Sequence, residues 1–182
     1  MTFLKNYYSK TIKKDLINKF NFKNVKNVPC LKKIVVNFGH NSTDLKITAT
    51  HLLALELITN KRGTITQTKK PNILLKIRKN HPVGAKVCLK KNDMFEFTSK
   101  LINEVIPKLK NFKGFNTLKK SQNNTLSFRL YDALNFNELE SHYNLFNKIS
   151  KMNVTLTTNL GKKDEVKFLL KSMQIEISKM RL

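Results

Sequence analysis

The sequence predicts an α+β fold: a single domain, mainly an antiparallel sheet covered by helices on one face, with a protruding basic loop. Three observations predict it. Several short segments alternate apolar and polar residues at the period of a strand, others repeat apolar residues at the period of a helix, and the two kinds interleave without the strict alternation of a parallel sheet. The 182 residues suit one core of ordinary size. The expected division is a basic N-terminal helix within 1–27, an α+β body over 28–175 and a tail over 176–182.

Taken in order, Tyr7 to Phe20 reads as a helix because Ile12, Leu16 and Phe20 recur every four residues, with Lys10, Lys13, Lys14 and Lys19 on the remaining surface. After Pro29 the period changes to two, with Ile34, Val36 and Phe38 on one face of a strand and Lys33, Val35 and Asn37 on the other. Gly39 closes it. Asp44 is the expected N-cap of a helix through Ile58, with Leu45, Ala49, Leu52 and Leu53 as its apolar stripe. A threonine-rich strand, Thr64 to Lys69, precedes a basic loop from Lys70 to Pro82 and a strand from Gly84 to Lys90. In that strand Ala85, Val87 and Leu89 oppose Lys86, Cys88 and Lys90, so the sheet has an oily side and a cationic side. Asp93 is the expected cap of a helix from Met94 to Ile106, which Pro107 helps to end, and Lys108 to Asn124 reads as a long polar loop. Strands are expected over Thr125 to Tyr131 and Asn153 to Thr158, joined by a segment, Ala133 to Ser150, with room for a short helix. Val166, Leu169, Leu170 and Met173 mark a last helix from Asp164 to Met173.

Thirty-five Lys and Arg against 12 Asp and Glu give a net charge of +23, a self-repulsion that a polyanionic partner would relieve. Basic residues spread along the whole chain favour nucleic acid over a membrane surface, which usually selects one amphipathic helix. No apolar stretch approaches the roughly 18 residues that span a bilayer. Cys30 and Cys88 are too few and too far apart for a disulfide framework or a zinc ribbon, consistent with a reducing compartment. The first residues carry Lys5, Lys10, Lys13 and Lys14 without an acid but run straight into a helix, so they read as mature structure rather than a presequence. Lys and Asn abound while Arg, Ala, Pro and Gly are scarce, a bias toward A/T-rich codons such as those of a protist mitochondrial genome.

No catalytic constellation declares itself. His40, His51, His81 and His142 stand apart, none at a metal-binding spacing, and His51 beside Leu52 and Leu53 reads as a core-edge residue. The isolated glycines build no phosphate-cradling loop. No cofactor, metal or small-molecule substrate is expected. The informative segment is Lys69 to Lys90, where cations surround Ile73, Leu74, Leu75 and Ile77 between turn residues; the apolar residues suit either the core or a loop that presents cations to RNA. The strands lack aromatics spaced to stack bases, which favours recognition of a folded RNA's shape.

These segments resemble large-subunit ribosomal protein five, the family that anchors 5S ribosomal RNA in the central protuberance. The likeness rests on VPCLKKIVVNFG (Val28 to Gly39), LELIT (Leu55 to Thr59), KK with KIR, PVG and KV (Lys69 to Val87), FEF and LI before Pro107, NFKG (Asn111 to Gly114), and VTLTTN followed by DE and LLK. They occur in family order from about Ser9 to Gln174. The resemblance implies that the sheet and first helix face 5S or equivalent large-subunit rRNA, through Lys10, Lys13, Lys14, Lys33, Asn37, Lys69, Lys86 and Lys90. It implies a loop reaching peptidyl-site tRNA with Pro71, Asn72, Lys76, Ile77, Arg78, Lys79 and Pro82. It also implies neighbouring large-subunit proteins and a small-subunit bridge protein met by the loop after Gly114 and by Ala133 to Ser150. Departures are Asn60, Lys61 and Arg62 for the usual Gly, Gln and Lys, Cys88 for threonine, Ser121 to Asn124 for a glycine-rich segment, and Phe136, Asn137 and Glu138 for Phe, Pro and Glu.

The expected function is therefore a structural constituent of the large ribosomal subunit, not an enzyme, in the mitochondrial matrix, with a plastid or bacterial cytoplasm as the alternative compartment. The rival is a free-standing RNA chaperone or RNA-acting enzyme with the same basic body.

Overall fold

The alternating segments become β1 (Leu31–Gly39), β2 (Thr64–Gln67), β3 (Pro82–Leu89), β4 (Thr125–Leu130) and β5 (Met152–Thr158). They form one five-stranded antiparallel sheet in the order β2-β3-β1-β5-β4. The computed structural model describes residues 3–41, 44–110, 112, 114–115, 124–147, 149–159 and 163–175. Because successive strand side chains point to opposite faces, one register commits every apolar residue of a strand to one side. Ile34, Val36 and Phe38, then Ala85, Val87 and Leu89, Leu126, Phe128 and Leu130, and Met152, Val154 and Leu156 are all buried. Lys33, Lys86, Cys88 and Arg129 stand exposed between them. The α+β class and the two-sided sheet agree with the sequence reading.

The chain divides into two compact units. The first comprises Met1–Ile34, Leu89–Arg129 and Thr155–Leu182. Its helix α1 runs as Phe3–Tyr7, a π turn Tyr8–Ile12, and Lys13–Lys19. It starts a turn before the expected Tyr7. A strict four-residue repeat drifts by about 40° per step on a regular α-helix, and the wider π turn takes up that drift, so Leu4, Ile12 and Leu16 all stay buried. The Tyr8 hydroxyl donates to the Pro29 carbonyl at 3.0 Å, and its ring lies 6.4 Å from Phe95.

Phe95 belongs to the next helix of this unit, which begins at Lys91 with Lys90 as its N-cap. Asp93, expected as the cap, instead sits in the first turn. The helix runs Lys91–Lys100, continues through a π turn Leu101–Val105 and ends with Ile106–Lys108, so Pro107 lies inside its last turn. Phe115 stacks on Phe128 of β4 at 4.1 Å. The rest of the expected 108–124 loop, 111, 113 and 116–123, lies outside the described residues, including Ser121 to Asn123. The last helix, Lys163–Ser172, buries Val166, Leu169 and Leu170, with Met173 just beyond it, as its spacing predicts.

The second unit comprises Val35–Cys88 and Leu130–Val154. Its long helix, α2, is Leu45–Thr59. Asp44 holds the N-cap position, but its side chain makes no capping hydrogen bond. The expected stripe is corrected: Leu45 is 65% exposed and Leu53 45%, Ala49 is exposed and Leu52 half-buried, while Thr48, His51, Ala54, Leu55 and Ile58 are buried. The reason is that α2 carries apolar residues all round, so periodicity cannot choose its inner face. Asn60 ends the helix in the left-handed region (φ 51°, ψ 28°), its N–H donating to the Glu56 carbonyl at 2.8 Å. Asparagine tolerates that conformation better than most residues, which suits it to the position where the resemblance implies a glycine. Strand β2 stops at Gln67, short of the expected Lys69, at a register irregularity after Thr66. The segment expected to hold one short helix has a 3-10 turn, Ala133–Asn135, and two helical pieces, Asn137–Glu140 and Tyr143–Phe146.

Gly84 packs directly against the backbone of β1. A Cβ there would run into the Phe38 carbonyl oxygen and come within 3.2 Å of the Gly39 Cα, both backbone atoms that cannot swing away. Gly84→Ala is expected to lower the unfolding free energy by about 2 kcal/mol. The measurement is a fall in the urea midpoint at unchanged slope.

Candidate nucleic-acid interface

The basic loop between β2 and β3 is an ordered hairpin. At its base Thr68 is fully engaged: its N–H donates to the His81 carbonyl at 3.0 Å, its carbonyl accepts from the Asn80 N–H at 3.0 Å, and its hydroxyl donates to the Arg78 carbonyl at 2.7 Å. Further out, Asn72 and Ile77 exchange two backbone hydrogen bonds of 2.9 and 3.0 Å, and the Lys76 N–H closes a tight turn onto the Ile73 carbonyl at 3.0 Å. Lys76 and Asn80 take positive φ, 52° and 63°, letting the chain reverse without glycine.

This settles the choice the sequence left open for the apolar residues. Ile77 is buried and anchors the hairpin, whereas Ile73 and Leu74 are 91% and 93% exposed at its tip. Lys69, Lys70, Pro71, Asn72, Lys76, Arg78 and Lys79 are all exposed around them, and Pro82 is half-buried as the first residue of β3. No aspartate or glutamate occurs between Glu56 and Asp93, so the hairpin itself carries only positive charges. The structure therefore gathers the expected loop cations on one projection, with Ile77 supporting them from within.

On the open side of the sheet in the second unit, Lys86 faces solvent opposite Thr64, whose hydroxyl donates to the Lys86 carbonyl at 3.1 Å. Asn37 is half-buried there, and its side-chain oxygen is shielded without a hydrogen-bond partner among the described residues. A shielded amide oxygen lacking a donor costs roughly 1–3 kcal/mol, an incentive for an incoming hydroxyl or amine. In the first unit Lys33 and Lys90 are exposed, and Ser127 and Thr155 join β4 to β5 through hydroxyls 3.0 Å apart. Of the helix lysines, Lys10 and Lys14 are exposed, while Lys13 is half-buried. The charge of Lys13 acts on Cys30: burial pushes that thiol up, and Lys13 and Lys32 pull it partly back.

One positioning residue escaped the sequence reading. Asn159, after β5, accepts from the Cys30 N–H at 2.9 Å and donates through its amide to the Val28 and Lys26 carbonyls at 3.0 and 3.3 Å. It staples the segment that leads into β1. Nothing but its place at the end of VTLTTN could have signalled this, because its partners lie more than a hundred residues away.

Among the described residues no group of three or more His, Cys, Asp or Glu converges as a metal ion would require, and no helix is long and apolar enough to cross a membrane. In each unit the open strand face carries cations, with further cations on α1 in the first and on the hairpin in the second, which is the build of a protein that binds nucleic-acid phosphate. Residues 82–177 match the family model that describes the C-terminus of ribosomal protein five. The chain is 39% identical over 181 residues to the large ribosomal subunit protein uL5m of Reclinomonas americana, covering 98% of this chain and 100% of that one. It is 36% identical to uL5 of Borreliella afzelii, covering 92% of each chain, and 36% identical to uL5c of Oedogonium cardiacum, covering 92% and 93%. The chain belongs to the uL5 family, structural proteins of the large ribosomal subunit rather than enzymes.

Proposed function

We propose that this chain holds 5S rRNA, or equivalent large-subunit rRNA, in the central protuberance of a mitochondrial ribosome, and that its 71–82 hairpin touches peptidyl-site tRNA during translation. The observation that carries the reading is the hairpin itself. A rigid projection with exposed Lys76, Arg78 and Lys79 and an apolar tip is costly in isolation, and becomes favourable against a phosphate backbone and sugar edges. The rRNA contacts fall to Lys10, Lys13 and Lys14 on α1, Lys33, Asn37 and Lys86 on the open sides of the strands, Lys69 at the base of the hairpin and Lys90 just after β3. The small-subunit bridge protein meets the 133–150 segment, where Tyr143 and Leu145 are exposed, and neighbouring large-subunit proteins complete the surroundings. The chain acts as one ribosomal domain without a small-molecule substrate or a membrane. The mitochondrial assignment rests on the Lys- and Asn-rich composition and on the similarity to a uL5m; a plastid or a bacterial cytoplasm is the alternative.

The test is the double charge reversal Lys76→Glu and Arg78→Glu. It is expected to weaken tRNA binding by large subunits by at least about tenfold, one lost charge-assisted contact being worth roughly 1.5–3 kcal/mol, while the chain still co-sediments with large subunits after a salt wash. Loss of the chain from the subunits would instead make the hairpin an assembly element.

A further inference from the structure

We infer that Phe3 and Tyr7 form a stacking platform on α1 that receives an unpaired RNA base, with Lys10 and Lys14 holding the phosphates beside it. The inference rests on the reading that α1 faces RNA and adds the kind of nucleotide it takes. The two rings lie 6.1 Å apart and within 6° of parallel, and Phe3 is 81% and Tyr7 39% exposed. They are not needed for packing, because the inner side of α1 is already sealed by Leu4, Ile12 and Leu16 and pinned by the Tyr8 hydrogen bond to Pro29. Lys10 and Lys14 follow Tyr7 within about 10 Å of rise, and both are exposed. No acid precedes Asp15. Flat aromatic faces next to cations are what sequence-tolerant stacking of unpaired bases requires, since every base has a π-face.

Charge decides the occupant. A helix lying on a membrane buries its apolar side in lipid, whereas the apolar side of α1 is spent in the protein core and its open side is polar and mainly cationic apart from these rings, Asp15 and Ile17.

The experiment uses the full chain and a hairpin RNA with one bulged 5-iodouridine, against the same hairpin with the iodouridine paired. Near-ultraviolet irradiation is expected to cross-link the bulged base to Phe3 or Tyr7 and to leave the paired base uncoupled. Phe3→Leu with Tyr7→Leu should abolish the cross-link and weaken the bulged hairpin by about tenfold, with the paired hairpin changed less than about twofold, because lysines alone hold it. Tyr7→Phe, which keeps the ring, should bind as the parent does. A cross-link elsewhere in the parent chain, or equal weakening of both hairpins, overturns the inference. Those parent-chain and Tyr7→Phe readings stand even if the double variant misfolds. Failure of the parent to bind even the paired hairpin is a distinct result, and overturns the RNA reading of α1 itself.

Discussion

Raising monovalent salt from about 50 to about 200 mM is expected to weaken binding of the isolated chain to structured rRNA by about 10³- to 10⁴-fold. Each phosphate neutralised on duplex RNA releases counterions and adds roughly 0.9 to the slope of log affinity against log salt. Lys10, Lys13, Lys14, Lys33, Lys69, Lys86 and Lys90 would together give a slope near about 6, or slightly less if half-buried Lys13 stays turned toward Cys30. Fluorescence anisotropy across a salt series reads the slope directly. A slope below about 2 would mean that the net charge of +23 serves something other than phosphate contact.

Acidification is expected to cost about 3 kcal/mol of stability between pH 6.5 and 4, and the group responsible is His51. Its ring is fully buried on α2, flanked by Phe38 and His40 with centroids 5.2 Å from each. Its Nε2 lies 3.2 Å from the Ser150 backbone nitrogen, which can only donate, so the lone pair is on Nε2 and the proton on Nδ1. A second proton would have to enter on Nε2, against that donor. Burial and the neighbouring His40 lower its pKa to about 4. The unfolded chain takes up a proton near pH 6.5, so stability is complete above that pH, falls as the pH drops, and levels off below about 4. Urea midpoints for the parent and for His51→Gln should therefore diverge from the neutral-pH difference between them within this window, the variant losing less. Parallel curves would show that His51 titrates normally.

The extent of α2 was legible, but its inner face was not, whereas the inner faces of the strands were, for one physical reason. A pleated strand ties side-chain direction to residue parity, so Ile34, Val36 and Phe38 could go to one side only. Helix α2 offers apolar residues at nearly every angle, and its inner face is set by what packs against it, with His51 stacked on Phe38 and bonded to Ser150 and Thr48 on His40. The candidate interface divides in the same way. Its cations were readable as charge without acid, but whether Ile73 and Leu74 belonged to the core depended on the Thr68 and Asn72 hydrogen bonds that raise the hairpin. Phe3 was missed because the helix was expected to begin at Tyr7, a turn too late to pair the two rings.

From its residues alone, then, the chain was committed to a strongly cationic α+β body with a two-sided sheet and the ordered motifs of its family, because charge and local period are properties of adjacent residues. Only the tertiary structure decided which face of α2 is inside, which apolar residues crown the hairpin, and that Asn159 secures the start of β1. The face of α2 and the anchoring of β1 depend on partners far away in the chain, and the hairpin's crown on turn hydrogen bonds that apolar periodicity does not encode.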